Sequence, residues 1–166
     1  MSRTLIVGEA GDGFSPQTYS GMRLAHLLGV TDVLEVFDVT NVMTIEHARA
    51  AGLDHTSPVI RGMLDGYHWD AAIARKIGVR MRLDGYERVL ACGRKVERAL
   101  MSPDEPYLPM LATGHGITLF PHPSGRSRWW NDESNLKAAR TMLRVAASME
   151  PRRRPPPEPR CACLAR

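Results

Sequence analysis

The sequence has few cysteines, and it lacks any hydrophobic run long enough to cross a membrane. It holds three cysteines, of which Cys161 and Cys163 stand one residue apart and match no zinc or iron–sulfur pattern. No apolar stretch approaches the roughly 18 residues that a membrane helix needs. The N-terminus leads directly into a strand-like segment and lacks a signal-peptide core and cleavage site. We therefore expect a cytoplasmic protein with no bound metal, no cofactor and no membrane partner.

Positive charge is concentrated at the C-terminal end. Residues 151–166 contain five arginines and one glutamate, which accounts for the whole net charge of +4. The basic, proline-rich segment 150–166 is interpreted as a disordered tail. An alternative is an arm that holds nucleic acid loosely through its phosphates. The remainder, residues 1–149, is long enough to form one domain with its own core.

Strand-like and helix-like segments alternate along this domain. Strands are predicted at 4–8, 33–39, 88–92 and 116–120, helices at 19–28, 46–51, 69–83, 95–101 and 132–149, and loops at 52–66 and 102–115. The alternation predicts an α/β fold, a single three-layer domain with a mostly parallel four-stranded sheet flanked by helices. Ligands bind such sheets beyond the carboxyl ends of the strands, where the polar, glycine-rich segments of this chain fall.

The first of these segments follows strand one and runs from Gly8 to Phe14. Its glycines allow backbone N–H groups to approach a phosphate or a base edge, but the Gly-Lys-Ser/Thr ending of a P-loop is absent. Glu9, at the strand end, could orient or activate a water molecule. The alternative is an ordinary tight turn with a solvated glutamate.

The second segment places Asn41 at the end of strand two. Its amide offers both a donor and an acceptor, a pair that can read a pyrimidine edge. Asparagine is also a common turn residue, so this segment alone does not favour a site.

The third segment begins at His122, between two prolines that fix its backbone. A histidine held in this way can donate to an oxygen on which negative charge develops. The predicted DNA-binding run follows it and consists of Ser124, Gly125, Arg126, Ser127 and Arg128. Trp129 and Trp130 offer stacking faces or, alternatively, core packing, and one of the two is expected in the core.

Together these motifs resemble those of the uracil-DNA glycosylase superfamily, especially its bacterial thermophile-type and mismatch-specific branches. The similarity extends in order across residues 4–145. The matching segments are Gly8-Glu9-Ala10-Gly11, Thr18-Tyr19-Ser20-Gly21, Thr40-Asn41-Val42, Val89-Leu90-Ala91-Cys92-Gly93 and His122-Pro123-Ser124-Gly125.

The resemblance implies a DNA glycosylase that flips its target nucleotide into a pocket. Glu9 would activate the attacking water, Asn41 would bond the base edge, and His122 would donate to the base oxygen as the base leaves. Tyr19 would stack on the base, with Gly8, Ala10 and Phe14 completing the base-binding surface. Ser124 would contact a phosphate, and Arg126 would stand where a loop enters the duplex.

The chain also departs from the family pattern. The proline of the first motif and the iron–sulfur cysteines are missing, and Tyr19 replaces a phenylalanine, so a modified pyrimidine larger than uracil becomes a candidate substrate. DNA is the expected partner, and we expect a monomer. Two other functions stay open: a non-catalytic reader of a modified base, and an enzyme acting on a free nucleoside or nucleotide.

Overall fold

The computed structural model describes residues 4–11, 14–15, 17–81, 83, 85–101, 116–124 and 128–148. Its strands are β1 (Thr4–Gly8), β2 (Asp38–Asn41), β3 (Arg88–Cys92) and β4 (Ile117–Phe120). The helices are α1 (Tyr19–Leu28), α2 (Ile45–Ala50), α3 (Pro58–Leu64), α4 (Ala71–Gly78), α5 (Arg94–Leu100) and α6 (Glu133–Ser148), with 3₁₀ turns at Val33–Glu35 and Arg128–Asn131.

The sheet has four strands in the order β2-β1-β3-β4, and every pairing is parallel. Alternate strand residues face opposite sides, as the pleat of a strand requires. Leu5 and Val89 pack with residues of α2 to α5, whereas Ile6 and Leu90 pack with α1 and α6. The predicted α/β class and three-layer arrangement are confirmed.

The segment predicted as a strand over 33–39 contains a different structure. Asp32 accepts a bond from Leu34 N–H, and Glu35 bonds back to Asp32 N–H, which forms a capping box. This local bonding folds Val33–Glu35 into a 3₁₀ turn, and the strand itself is Asp38–Asn41. The prediction read the apolar residues of the turn as part of the strand.

The predicted loop over 52–66 is also wrong, since it contains α3. Ser57 caps this helix by accepting a bond from Ile60 N–H, and Pro58 occupies the first turn, where its missing N–H has no effect. Ile60 and Met63 are buried against the sheet. The helix therefore forms one wall of the layer that covers β1.

Helix α4 is shorter than the predicted 69–83. Asp70 begins it by bonding the N–H groups of Ala72 and Ile73. At its other end, a Cβ on Gly78 would lie 2.1 Å from the carbonyl oxygen of Ala99. Gly78 therefore lets α4 and α5 approach closely, which explains a glycine inside a helix.

Two further predictions concern Cys92 and membrane spans. Cys92 is fully buried, as predicted, and burial raises the pKa of its thiol. Within the described ranges, every helix is too short or too polar to span a bilayer.

Candidate functional site

The strand order defines where a ligand would bind. From β1 the sheet extends to β2 on one side and to β3 and β4 on the other, so the connections diverge between β1 and β3. In open parallel sheets such a switch point leaves a crevice at the carboxyl ends of the strands. Glu9 follows β1 at this crevice, and Lys95 lies in the first turn of α5, just after β3.

Three charged or titratable side chains meet at the crevice. Glu9 Oε2 lies 3.4 Å from Lys95 Nζ, and Glu9 Oε1 lies 3.6 Å from His122 Nε2. The Glu9 side chain is 27% exposed, so it is partly shielded yet still reachable from solvent. Glu9 and His122 were predicted as site residues from distant parts of the chain. The structure thus places the Glu9 carboxylate and the His122 imidazole in contact with each other.

Hydrogen bonds fix His122 in position. Trp130 Nε1 donates to the His122 carbonyl at 2.7 Å, and the Ser124 N–H donates to His122 Nδ1 at 3.2 Å. Because Nδ1 accepts this bond, the ring proton is assigned to Nε2, the nitrogen that faces Glu9. His122 is therefore oriented as a donor toward the crevice.

Gly93 makes room for this arrangement at the end of β3. Its φ of +97° is strained for any residue with a side chain, and a Cβ there would lie 3.3 Å from His122 Cβ and Cδ2. Its N–H also donates to the Phe120 carbonyl at 2.8 Å, which ties β3 to β4 just before His122. Because Gly93 has no side chain, Glu9 and His122 can approach each other beside the end of β3.

Arg23 holds the aromatic side of the site. Its guanidinium donates to Tyr19 Oη at 2.7 Å and to the Ser124 carbonyl at 3.1 Å. It also stacks over the rings of Tyr19 and Trp130, with centroid distances of 4.7 and 5.0 Å. Tyr19 is 56% exposed, so one Arg23 side chain orders an accessible ring against the His122 segment.

These groups surround a cavity of about 540 Å³. Its lining comprises Glu9, Thr18, Tyr19, Ser20, Gly66, Lys95, His122 and Ser124. The volume lies within the range of small-molecule sites. The cavity combines a carboxylate, an imidazole donor, an ammonium group and an aromatic ring.

Asn41 does not line this cavity. Its Nδ2 donates to the Gly11 carbonyl at 2.9 Å, and its buried Oδ1 has no hydrogen-bond partner among the described residues. It is the last residue of β2, on the far side of β1 from the switch point, which accounts for the separation.

The other predicted base-binding residues are structural neighbours of Asn41 or of the core. A Cβ on Gly8 would lie 2.3 Å from Asn41 Oδ1 and 2.6 Å from the Phe14 ring, so only glycine fits there. Phe14 is buried in the core beside α1, and Ala10 packs against the core on the opposite face. Of the predicted base-binding set, only Tyr19 lines the cavity.

The predicted DNA-binding run is described only in part. Ser124 lines the cavity, and Arg128 is exposed at the start of a 3₁₀ turn. Gly125, Arg126 and Ser127 lie outside the described residues, as does the tail. Of the two tryptophans, Trp130 is in the core, which confirms that one of them is a packing residue, and Trp129 is half-buried against it.

Several site residues were missed by the sequence analysis. Lys95 gave no motif signal, because its role depends on the approach of β3 to β1. Arg23 is one cation within an amphipathic helix, and nothing in the sequence distinguishes it. Gly66 follows α3, a helix that the sequence pattern did not predict. The one available signal was Gly93, at a strand-to-helix junction.

The described part of the chain contains no group of three or more His, Cys, Asp or Glu side chains able to hold a metal ion. Comparisons with protein-family models, with curated proteins and with solved structures give no match in any of the three.

Proposed function

We propose that this protein is a DNA glycosylase, similar to the uracil-DNA glycosylase superfamily, that hydrolyses the N-glycosidic bond of uracil or a modified pyrimidine flipped out of DNA. The observation that carries the proposal is the convergence of Glu9 and His122 at 3.6 Å beside an accessible aromatic ring. The proposal includes a monomeric, cytoplasmic protein with DNA as its partner.

The chemistry follows from the two groups. Glu9 accepts a proton from a water molecule whose oxygen bonds to C1′ of the sugar, while the C1′–N1 bond breaks and its electron pair passes to the base. His122 Nε2–H donates to the base oxygen on which that charge accumulates. Lys95 holds the Glu9 carboxylate by a salt bridge on the other side.

Binding of the base uses the aromatic wall. The Tyr19 ring is accessible, and Arg23 limits its rotation, so it offers a fixed stacking surface for a flipped pyrimidine. Ser20 and Ser124 supply hydroxyl groups on the same cavity. A solvent-open cavity leaves room for a substituent on the pyrimidine ring, which supports a modified base as substrate.

The test is a glycosylase assay on single- and double-stranded oligonucleotides that carry uracil, 5-hydroxymethyluracil, hypoxanthine, xanthine or bulkier modified pyrimidines. Alkali cleavage reveals the abasic sites. We expect excision of at least one base, and a loss of at least about 100-fold in Glu9→Gln and His122→Ala, in line with removal of a general base or an oxyanion donor. Lys137→Gln, an exposed substitution on α6, is the control and should retain full activity.

Each alternative gives a distinct result. Tight binding to one modified oligonucleotide without excision would replace the glycosylase with a reader of that base. Release of base from free nucleosides or nucleotides, with no activity on any oligonucleotide, would favour the free-nucleotide enzyme. Full activity in both Glu9→Gln and His122→Ala would remove this cavity from the reaction.

A further inference from the structure

A second and larger cavity, of about 970 Å³, lies between α4 and α5. Its lining includes small apolar side chains from both helices, and the close contact at Gly78 keeps the helices together at one end. Its rim carries the cations Arg75, Lys76, Lys95 and Arg98, with Trp69 among the lining residues. We call this cavity the basic groove.

The charge of the basic groove is strongly one-sided. Among the described residues that line it there are four cations and no carboxylate. The neighbouring Asp70 bonds to helix N–H groups, and Glu97 of α5 is buried rather than facing the groove. In residues 1–150 as a whole, seventeen basic and seventeen acidic side chains balance. Folding has therefore segregated positive charge here.

The basic groove and the candidate active site share the lining residue Lys95. Lys95 lines both cavities, and its Nζ lies 3.4 Å from Glu9 on one side and 5.8 Å from the Trp69 ring centroid on the other. A chain molecule held at Glu9 could pass Lys95 and Trp69 and enter the groove without leaving the surface.

We propose that the basic groove binds a single-stranded nucleic-acid segment, which continues from the nucleotide held in the active site. The cations contact backbone phosphates, and Trp69 provides a stacking face for one base, the combination by which proteins hold single strands without reading their sequence. Continuity with the flipped nucleotide rests on the proposed glycosylase function; binding of the strand in the groove does not.

The test compares two triple variants with matched chemistry. Arg75→Gln/Lys76→Gln/Arg98→Gln removes the groove cations other than Lys95, and Lys137→Gln/Arg140→Gln/Arg144→Gln removes an equal set from α6, on the opposite face of the sheet. Glutamine keeps the helix propensity of the replaced residues. Circular dichroism and melting curves establish that both variants fold.

Binding of a fluorescent 16-nucleotide single strand is followed by anisotropy across a salt series. Each phosphate contact contributes about 0.7 to the slope of log K against log salt for single strands. The groove variant should therefore have a slope shallower by about 2, and the α6 variant should match the wild type. Equal slopes in the two variants would overturn the proposal.

Two further measurements identify the class of ligand and distinguish the groove proposal from the glycosylase proposal. A base-free polyphosphate that binds as tightly as the oligonucleotide would overturn the nucleic-acid assignment. Excision from a substrate of four nucleotides should be equal in wild type and groove variant. If wild type excises no base but the salt slope is still shallower in the groove variant, the groove proposal is supported and the glycosylase proposal is contradicted. If wild type excises a base and the groove variant has an unchanged salt slope, the glycosylase proposal is supported and the groove proposal is contradicted.

Discussion

At Gly93, both the backbone conformation and the position of the His122 ring depend on the absence of a side chain. This residue directly follows β3 with φ at +97°, and the space where its Cβ would stand is bounded by His122. Left-handed backbone is readily adopted by glycine and costs other residues about 1–2 kcal/mol. A side chain at this position therefore has two separable effects, one on the backbone and one on the imidazole.

Gly93→Ala should separate those effects when compared with Gly52→Ala. Gly52 also has a positive φ, of +68°, but no atom lies within 4 Å of its Cβ position. Both variants should lose about 1–2 kcal/mol of stability in denaturant unfolding, because both carry the left-handed strain. Only Gly93→Ala should shift the ring resonances of His122 in NMR spectra and reduce base excision.

Gly52→Ala is the control for the effect of lost stability on excision. If Gly52→Ala reduced excision as much as Gly93→Ala, global stability would explain the loss. If Gly93→Ala left the His122 resonances unchanged, the glycine would have no part in positioning the imidazole.

Some residues of the candidate site could be predicted from the sequence, and others could not. Glu9 and His122 were predictable because each follows a strand, and parallel strands bring their carboxyl ends to one edge. Asn41 satisfied the same rule at the end of β2, but β2 lies beyond β1 from the switch point. Strand order decides which of these residues meet, and strand order depends on long-range pairing that the local pattern does not contain. Lys95 was missed for the same reason.

Among the elements, helix starts are determined by short-range bonds. Asp132 precedes α6 and accepts from the N–H groups of Ser134 and Asn135 at 2.8 and 3.3 Å. The Ser134 hydroxyl and these two N–H groups hold the pKa of the Asp132 carboxyl below its usual range. The charged form of Asp132 is therefore favoured in the folded protein.

This pKa shift gives α6 a pH-dependent contribution to stability. Because the folded pKa is lower than the unfolded one, the contribution is complete above the unfolded value, about 3.9, and is lost as the pH falls through the folded value. Asp132→Asn retains a capping side chain without a titrating group. Its melting temperature should lie below that of wild type at pH 6, and the two should converge as the pH falls through the folded pKa of Asp132.

Melting curves between pH 6 and pH 2.5 test this directly. Glu35 and Asp54, whose carboxyl pKa values are also lowered by hydrogen bonds, titrate in both proteins, so the difference between the curves isolates Asp132. A melting-temperature difference that stays constant with pH would mean that the Asp132 charge does not stabilise the fold.

The elements that the sequence predicted well are those whose local signals agree with their packing. Helix α1 has a Thr18 cap, an apolar face and Gly29 at its end, and it matches the prediction residue for residue. Helix α3 had the cap signal Ser57-Pro58, but the helix is only seven residues long. So short an apolar pattern, with glycines around it, led to the prediction of a loop. At 33–39, the Asp32 capping box competed with the strand pattern and prevailed.

For the whole molecule, the sequence reveals the positive charge of the tail but not that of the basic groove, which the described residues form. The tail is basic in any conformation, because residues 151–166 contain five arginines and one glutamate. The basic groove brings together cations from two helices that are separated in the chain by β3, so composition shows no excess there. A charge count along the chain therefore identifies the tail but not the groove.

Removal of residues 151–166 should weaken DNA binding and leave the chemistry unchanged. Five arginines can contribute at most about 3.5 to the single-strand salt slope, so the truncated protein should have a shallower slope and a weaker affinity at low salt. Excision from saturating short oligonucleotides should keep its wild-type rate, since Glu9 and His122 lie outside the tail. A full-length variant with all five arginines replaced by glutamine should behave like the truncation, because charge and not length is responsible.

Combining this truncation with the groove substitutions tests whether the two regions act independently. Contacts made by separate surfaces to separate phosphates add, so the losses in slope should sum. A combined loss no larger than that of the truncation alone would mean that the groove binds DNA only when the tail is present. Loss of all excision on truncation would place the tail within the reaction itself and contradict an active site formed by Glu9, His122 and the other cavity residues without the tail.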